Sequence, residues 1–175
     1  MVARLRGKDA MLPAYAHSDD ALLAQCDITS SSTHGPGGDH RNKVEAAARL
    51  RHRPTGIVAQ SESLPSRARN RAQALARLRI RLAIHDPAHS DLQVLARHRQ
   101  ERRLQITVEH ADYPMIVACC LAALSNAQGR LADAAATLGI SSAQLSRMVS
   151  SDKEVLAAAN RIRQEAGIGP MHGAS

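Results

Sequence analysis

Ser30-Ser31-Ser32-Thr33-His34-Gly35-Pro36-Gly37-Gly38-Asp39-His40-Arg41-Asn42-Lys43 is the stretch on which the reading of this chain turns. It is polar and broken by glycine and proline, so it is unsuited to a regular helix or strand. Gly35, Gly37 and Gly38 let the backbone come close to a ligand, with no Cβ in the way. By itself such a loop is weak evidence, because most glycine-rich loops are only turns. Its flanks decide the fold. Upstream, Ser18 before Asp19, Asp20, Ala21 and Leu22 reads as an N-capped short helix, and Gln25 to Thr29 as a first strand. Downstream, 46–52 and 56–60 read as two antiparallel strands around a Pro54-Thr55-Gly56 turn.

Helices follow. Leu64-Pro65-Ser66 supplies a start, and Ala68, Ala72, Leu75, Leu78 and Leu82 fall on one face of a helix over 66–85. Arg67, Arg71, Arg77 and Arg81 lie largely off that stripe, and Asp86-Pro87 ends the helix. Residues 91–103 are expected to form a charged helix. Tyr113-Pro114 begins another, which Asn126 to Gly129 closes. Leu131, Ala135 and Leu138 then make an apolar stripe before the turn Gly139-Ile140-Ser141. Ser141 with Gln144 and Ser151 with Glu154 have the spacing of capping boxes at the next two helix starts. The class is α+β, divided as a flexible arm (1–17), an α+β domain (18–86), a basic helical linker (87–110) and a helical extension (111–170).

Charge narrows the function classes. Of 23 basic residues, 20 are Arg, and residues 41–103 hold 15 of them against five acids, a local charge of +10. Arg suits bidentate contact with phosphate, so this block is the footprint of a polyanion binder. The bland alternative is a solvated surface in an Arg-rich proteome. With no Phe or Trp and only two Tyr, base stacking has few platforms, so RNA contact would rest on phosphate charge and Arg.

The three cysteines, Cys26, Cys119 and Cys120, form no disulfide framework or metal-ligand spacing. His85 and His89 are separated by Asp86-Pro87, and His34 and His40 read as RNA contacts or solvent-facing groups rather than ligands. No metal and no cofactor are expected. The start of the chain lacks the apolar core of a secretory signal, and Met115 to Leu124 is too short to span a membrane, so a cytosolic protein is expected.

One ordered series carries more than any of these features alone. Gly-Pro-Gly-Gly (35–38) is followed by Asn42-Lys43, Arg49, His52-Arg53-Pro54-Thr55-Gly56-Ile57 and Asn70-Arg71. Over about residues 22–84 it resembles the catalytic domain of class I peptide chain release factors and their short, codon-independent relatives. The resemblance implies a small α+β domain whose loop enters the peptidyl transferase centre and promotes attack of water on the peptidyl-tRNA ester. Gly37 and Gly38 match the family's two loop glycines, and Asp39 stands where the family has Gln. The catalytic group by this resemblance is Gly37, Gly38 and Asp39. Arg41, Asn42, Lys43, Arg67, Asn70 and Arg71 are the expected RNA contacts. The partners implied are ribosomal RNA and peptidyl-tRNA. A further departure is Pro65-Ser66-Arg67, where the family has Arg-Ser-Gln before its helix asparagine.

A stop-codon-reading domain is not expected, because few residues precede the loop. From Thr107 onward the chain has five basic residues and six acids, so the basic tail of the short rescue factors is missing. In its place Ala135, Gly139 and Leu145 have the spacing of a helix-turn-helix. Gln144, Ser146 and Arg147 are its candidate readers, but a lone Arg attracts DNA poorly. A packing or docking unit for a partner is preferred to a DNA-binding one.

Overall fold

The computed structural model describes residues 12–29 and 47–172, in which short antiparallel strands combine with helices in an α+β fold. The chain divides into two compact units, 1–82 and 83–175.

In the first unit, α1 (Asp19–Leu23) begins where the Ser18 hydroxyl accepts from the Ala21 N–H, as expected for an N-cap. Strands β1 (Cys26–Thr29), β2 (Ala48–His52) and β3 (Val58–Ser61) form an antiparallel meander in the order β1-β2-β3. Alternation along β2 is clean: Ala48, Leu50 and His52 are buried, while Arg49 and Arg51 face out. Helix α2 (Arg67–His85) follows, with Ala74, Leu75, Leu78 and Leu82 buried. Ala68 and Ala72, expected at the head of this stripe, are exposed instead. The head is Asn70, one turn before Ala74 and fully buried, so a polar residue opens the inward face.

Arginine closes both rims of the sheet. His52 N–H donates to Ile57 O, so 52 pairs with 57 by hydrogen bonds, and the intervening residues 58 and 60 turn their carbonyls away from β2. Those outward oxygens of Val58 and Gln60 accept from Arg81 and Arg77 of α2. At the opposite rim the outward carbonyls of Cys26 and Ala24 accept from Arg53. Arg77 and Arg81 therefore serve the sheet as well as the helix surface.

Residues 12–17 are also fixed, although the sequence places them in a loose arm. Tyr15 and His17 are buried, and their carbonyls accept from Arg79 at 2.8 and 2.7 Å. The His52-Arg53-Pro54-Thr55-Gly56 turn is tied to the same region. Thr55 Oγ1 lies 2.9 Å from His52 Nδ1, and Gln25 Oε1 lies 3.2 Å from His52 Nε2. Gln25 Nε2 in turn lies 2.9 Å from His17 Nδ1. In each histidine one ring nitrogen can donate and the other accept, which suits this part-buried chain of groups.

The second unit is built around α4 (Tyr113–Asn126), which is apolar on every side and buried from Tyr113 through Leu121. Around it pack a 3-10 turn (Pro87–His89), α3 (Leu92–Arg97), α5 (Leu131–Leu138), α6 (Ser142–Ser150) and α7 (Lys153–Glu165). The charged helix expected over 91–103 stops at Arg97. Beyond it, β4 (Arg99–Gln100) and β5 (Arg103–Leu104) form a hairpin whose turn holds Glu101 at φ 53°. Its backbone is tied down by Gln105 N–H to His98 O and by Ser141 N–H to Arg102 O.

The caps at the last two helices differ from each other. Ser141 caps α6 by accepting from Gln144 N–H, but the Gln144 amide donates to Leu104 O at 3.1 Å instead of closing the box. For α7 the cap is Asp152, not Ser151. Its carboxylate accepts from Glu154 and Val155 N–H, while Ser151 bonds Met148 O and Tyr113 OH. Between α5 and α6, Gly139 takes φ 67°, and Ile140 N–H reaches back to Ala135 O. A Cβ at Gly139 would meet only the movable Arg99 guanidinium, at 2.1 Å, so it is the left-handed angle that favours glycine there.

Candidate functional site

Gly37, Gly38, Asp39, Arg41, Asn42 and Lys43 lie outside the described residues. What the structure supplies is their frame. Thr29 is opposite Arg49 in the β1–β2 register, and Arg49 is opposite Gln60, so the segment 30–46 leaves and rejoins the sheet at one end. The start of α2 is at that same end. Gln73 bonds Ser61 there, and Arg77 and Arg81 bond Gln60 and Val58 successively further along β3, so the helix runs antiparallel to that strand. Loop attachment and helix start are therefore held together by short-range contacts.

Asn70 makes that junction. Its Oδ1 accepts from Ser61 Oγ at 2.9 Å and from Leu64 N–H at 3.1 Å, and its Nδ2 donates to Leu64 O at 2.7 Å. Full burial leaves it no surface to offer RNA, which corrects its expected role. Its amide satisfies buried groups where the strand hands over to the helix. Ser66 supports the same turn by accepting from Arg69 and Asn70 N–H, through its hydroxyl and its carbonyl respectively.

Arg67 and Arg71 are exposed, as is Arg69 between them. Three cations thus occupy the first two turns of α2, with no acid in the first turn. A helix N-terminus disfavours positive charge by about 0.3–1 kcal/mol per residue near the surface. Helix stability therefore does not account for them, whereas a polyanionic ligand would. Arg49 and Arg51 are exposed on the outer face of β2, and Arg49 is opposite Thr29, the last described residue of β1 before the loop. Neither arginine was singled out as a site residue from the sequence. Their signal was the strict alternation of Arg with Ala and Leu along β2.

The basic block is smaller as a binding surface than its charge count indicates. Arg53, Arg77 and Arg81 bond sheet carbonyls, and Arg79 bonds Tyr15 O, His17 O and the Asp19 carboxylate. The cysteines offer no reactive thiol. Burial pushes Cys119 up to about 11, moves Cys120 further in the same direction, and raises Cys26 despite the nearby Arg53 charge. Among the described residues no helix is long and apolar enough to cross a membrane.

This small sheet with its packed helix and basic helix start is the architecture of a class I release-factor catalytic domain. Residues 23–113, just over half of the chain, match the RF-1 domain family, and the chain belongs to that family. Its relatives include peptide chain release factor 2 of Burkholderia pseudomallei, 40% identical over 73 residues that make up 39% of this chain and 20% of the relative. The corresponding protein of Aromatoleum aromaticum is 30% identical over 96 residues, covering 52% of this chain and 24% of the relative. That of Thermomicrobium roseum is 34% identical over 98 residues, covering 55% and 24%. The chain thus spans only about a quarter or less of the length of these relatives.

Proposed function

We propose that this chain acts on the ribosome, in translation termination or ribosome rescue, as a cytosolic release-factor-type protein of codon-independent action. Membership of the RF-1 domain family carries this reading, with the exposed Arg67, Arg69 and Arg71 beside the loop's attachment in support. In this reading Gly37 and Gly38 allow close approach to the peptidyl-tRNA ester. The Asp39 backbone N–H donates to the oxygen on which negative charge develops. Arg41, Lys43, Arg67 and Arg71 grip ribosomal or transfer RNA, with Asn42 placed beside them by its position in the family motif.

Asp39 sets the rate. Its N–H is retained, but a carboxylate about 4 Å from a developing oxyanion costs on the order of 4 kcal/mol at an effective dielectric near 20. That is up to roughly three decades of rate, falling below about one decade under water-like screening. Hydrolysis is accordingly weakened relative to a glutamine loop. A homologue that binds ribosomes without cleaving the ester is the limiting case of the same reading.

The deciding measurement is peptide release from ribosomes by the native protein beside its Asp39→Gln variant, with and without a stop codon in the decoding site. A gain in the variant of up to roughly three decades, as derived above, is expected. Equal rates would overturn the role given to Asp39, and dependence on a stop codon would overturn codon independence. Binding of DNA through α6 is disfavoured, since the Gln144 amide is committed to Leu104 O.

A further inference from the structure

We propose that His98, His110 and Asp112 form a site for a divalent transition metal, Zn2+ by its chemistry, within the helical unit. His98 ends α3, while His110 and Asp112 lie just before α4. The intervening β4–β5 hairpin folds the chain back on itself and brings the three together. His98 Nε2 lies 2.7 Å from Asp112 Oδ2, and His110 Nδ1 lies 4.0 Å from the same oxygen. The two imidazoles meet edge to face, with ring centroids 4.7 Å apart. One ligand atom from each residue falls within 4.8 Å of the other two.

Tetrahedral zinc, with bonds of about 2.0–2.1 Å to nitrogen and oxygen, needs ligand atoms roughly 3.3–3.4 Å apart. The separations of 2.7 and 4.0 Å from Asp112 Oδ2 bracket that value. Two imidazole nitrogens and one carboxylate oxygen select Zn2+ over Ca2+ or Mg2+, which prefer all-oxygen shells. Three protein ligands leave a fourth position for water. The side chains keep relative exposures of 16% for His98, 47% for His110 and 35% for Asp112, so an ion can enter from solvent.

Two features oppose the site. Asp112 stands at the N-terminus of α4, whose dipole disfavours a cation, and Arg99, Arg102 and Arg103 are close in sequence. Arg99 is turned onto Leu138 O, and the Asp112 carboxylate supplies a full negative charge against the partial charge of the helix end. The histidine–carboxylate hydrogen bond alone would brace α3 against α4. His110 is held beside the same carboxylate because its Nδ1 accepts from the Asp112 N–H at 3.1 Å, a bond that metal ligation would exchange for one to the ion. Spacing rules missed the site because eleven residues separate His98 from His110 in sequence, and only the hairpin makes them neighbours.

The test uses the full chain, stripped with chelator and titrated in separate samples with Zn2+ and with Co2+. The expected result is one metal per chain, visible Co2+ d–d absorption, and displacement of the imidazole nitrogen resonances of His98 and His110 by Zn2+. His110→Ala, at the most exposed position, should lower affinity by at least about 10- to 100-fold while leaving the circular dichroism spectrum unchanged. Asp112→Asn should act in the same direction. No stoichiometric binding overturns the proposal. So does binding that both variants retain, because the ion then sits elsewhere. The nitrogen resonances of the unmutated protein decide the matter even if a variant fails to fold.

Discussion

The two units solve the problem of a chain without Phe or Trp in opposite ways. The helical unit buries one long apolar helix, α4, and surrounds it with Ala, Leu, Ile and Val from its neighbours. The strand-containing unit has a thinner core, and it spends arginine and amide side chains on backbone oxygens at its rims and junctions. Where apolar volume is short, guanidinium groups complete the hydrogen bonding that packing alone would leave open. A basic composition is therefore partly architecture. Only the arginines turned outward are left for the proposed RNA contacts.

The largest effect that would break this contrast is at Asn70. Asn70→Ala removes three hydrogen bonds, takes the side-chain partner from both backbone groups of the half-buried Leu64, and leaves the Ser61 hydroxyl with Gln73 alone. It should destabilise the protein by roughly 2–4 kcal/mol in urea unfolding, as much as an aliphatic truncation in the helical unit. A loss below about 0.5 kcal/mol would show that polar groups are incidental to the first unit.

A smaller effect is expected at Gly139. Gly139→Ala puts a side chain at φ 67° and against Arg99, and should cost roughly 1–2 kcal/mol. Amide exchange should quicken in α5 and α6. Protection unchanged there would mean that the turn adjusts freely and that glycine is not required.

The smallest effect on stability, and the most informative for binding, comes from replacing Arg67, Arg69 and Arg71 together by Gln. Stability should stay within about 0.5 kcal/mol, or rise slightly as the charges opposing the helix dipole disappear. Ribosome co-sedimentation should nevertheless weaken, with the salt dependence of log affinity falling by roughly 2 for three phosphate contacts. Unfolding by this variant would place these arginines with the architectural set.

Much of the fold was legible from sequence because short-range rules govern it. The Ser18 cap, the hairpin around Pro54-Thr55-Gly56 and the limits of α2 and α4 all follow from local patterns. What escaped depends on partners distant in sequence. Asn70 is polar, so an apolar stripe overlooked it and substituted the exposed Ala68 and Ala72. The β4–β5 hairpin has no glycine at its turn, where Glu101 takes the left-handed angle, so the segment read as helix. Asp152 displaced Ser151 as the cap of α7 because Ser151 is held by Tyr113, and Tyr15 was assigned to an arm because nothing nearby in sequence reveals Arg79. For the candidate site, the helix-start arginines were visible as charge, but the internal commitments of Arg53, Arg77 and Arg81 were not.

The guanidinium groups along both borders of the three-stranded sheet have a consequence for assembly. An open strand border is a template on which a second chain can add by main-chain pairing. Here Arg53 occupies acceptors on one side, and Arg77 and Arg81 occupy them on the other. An incoming strand would have to displace these charged side chains from the oxygens they hold. The sheet is in this way guarded against fusing with copies of itself, even though its small size leaves no strand far from a border.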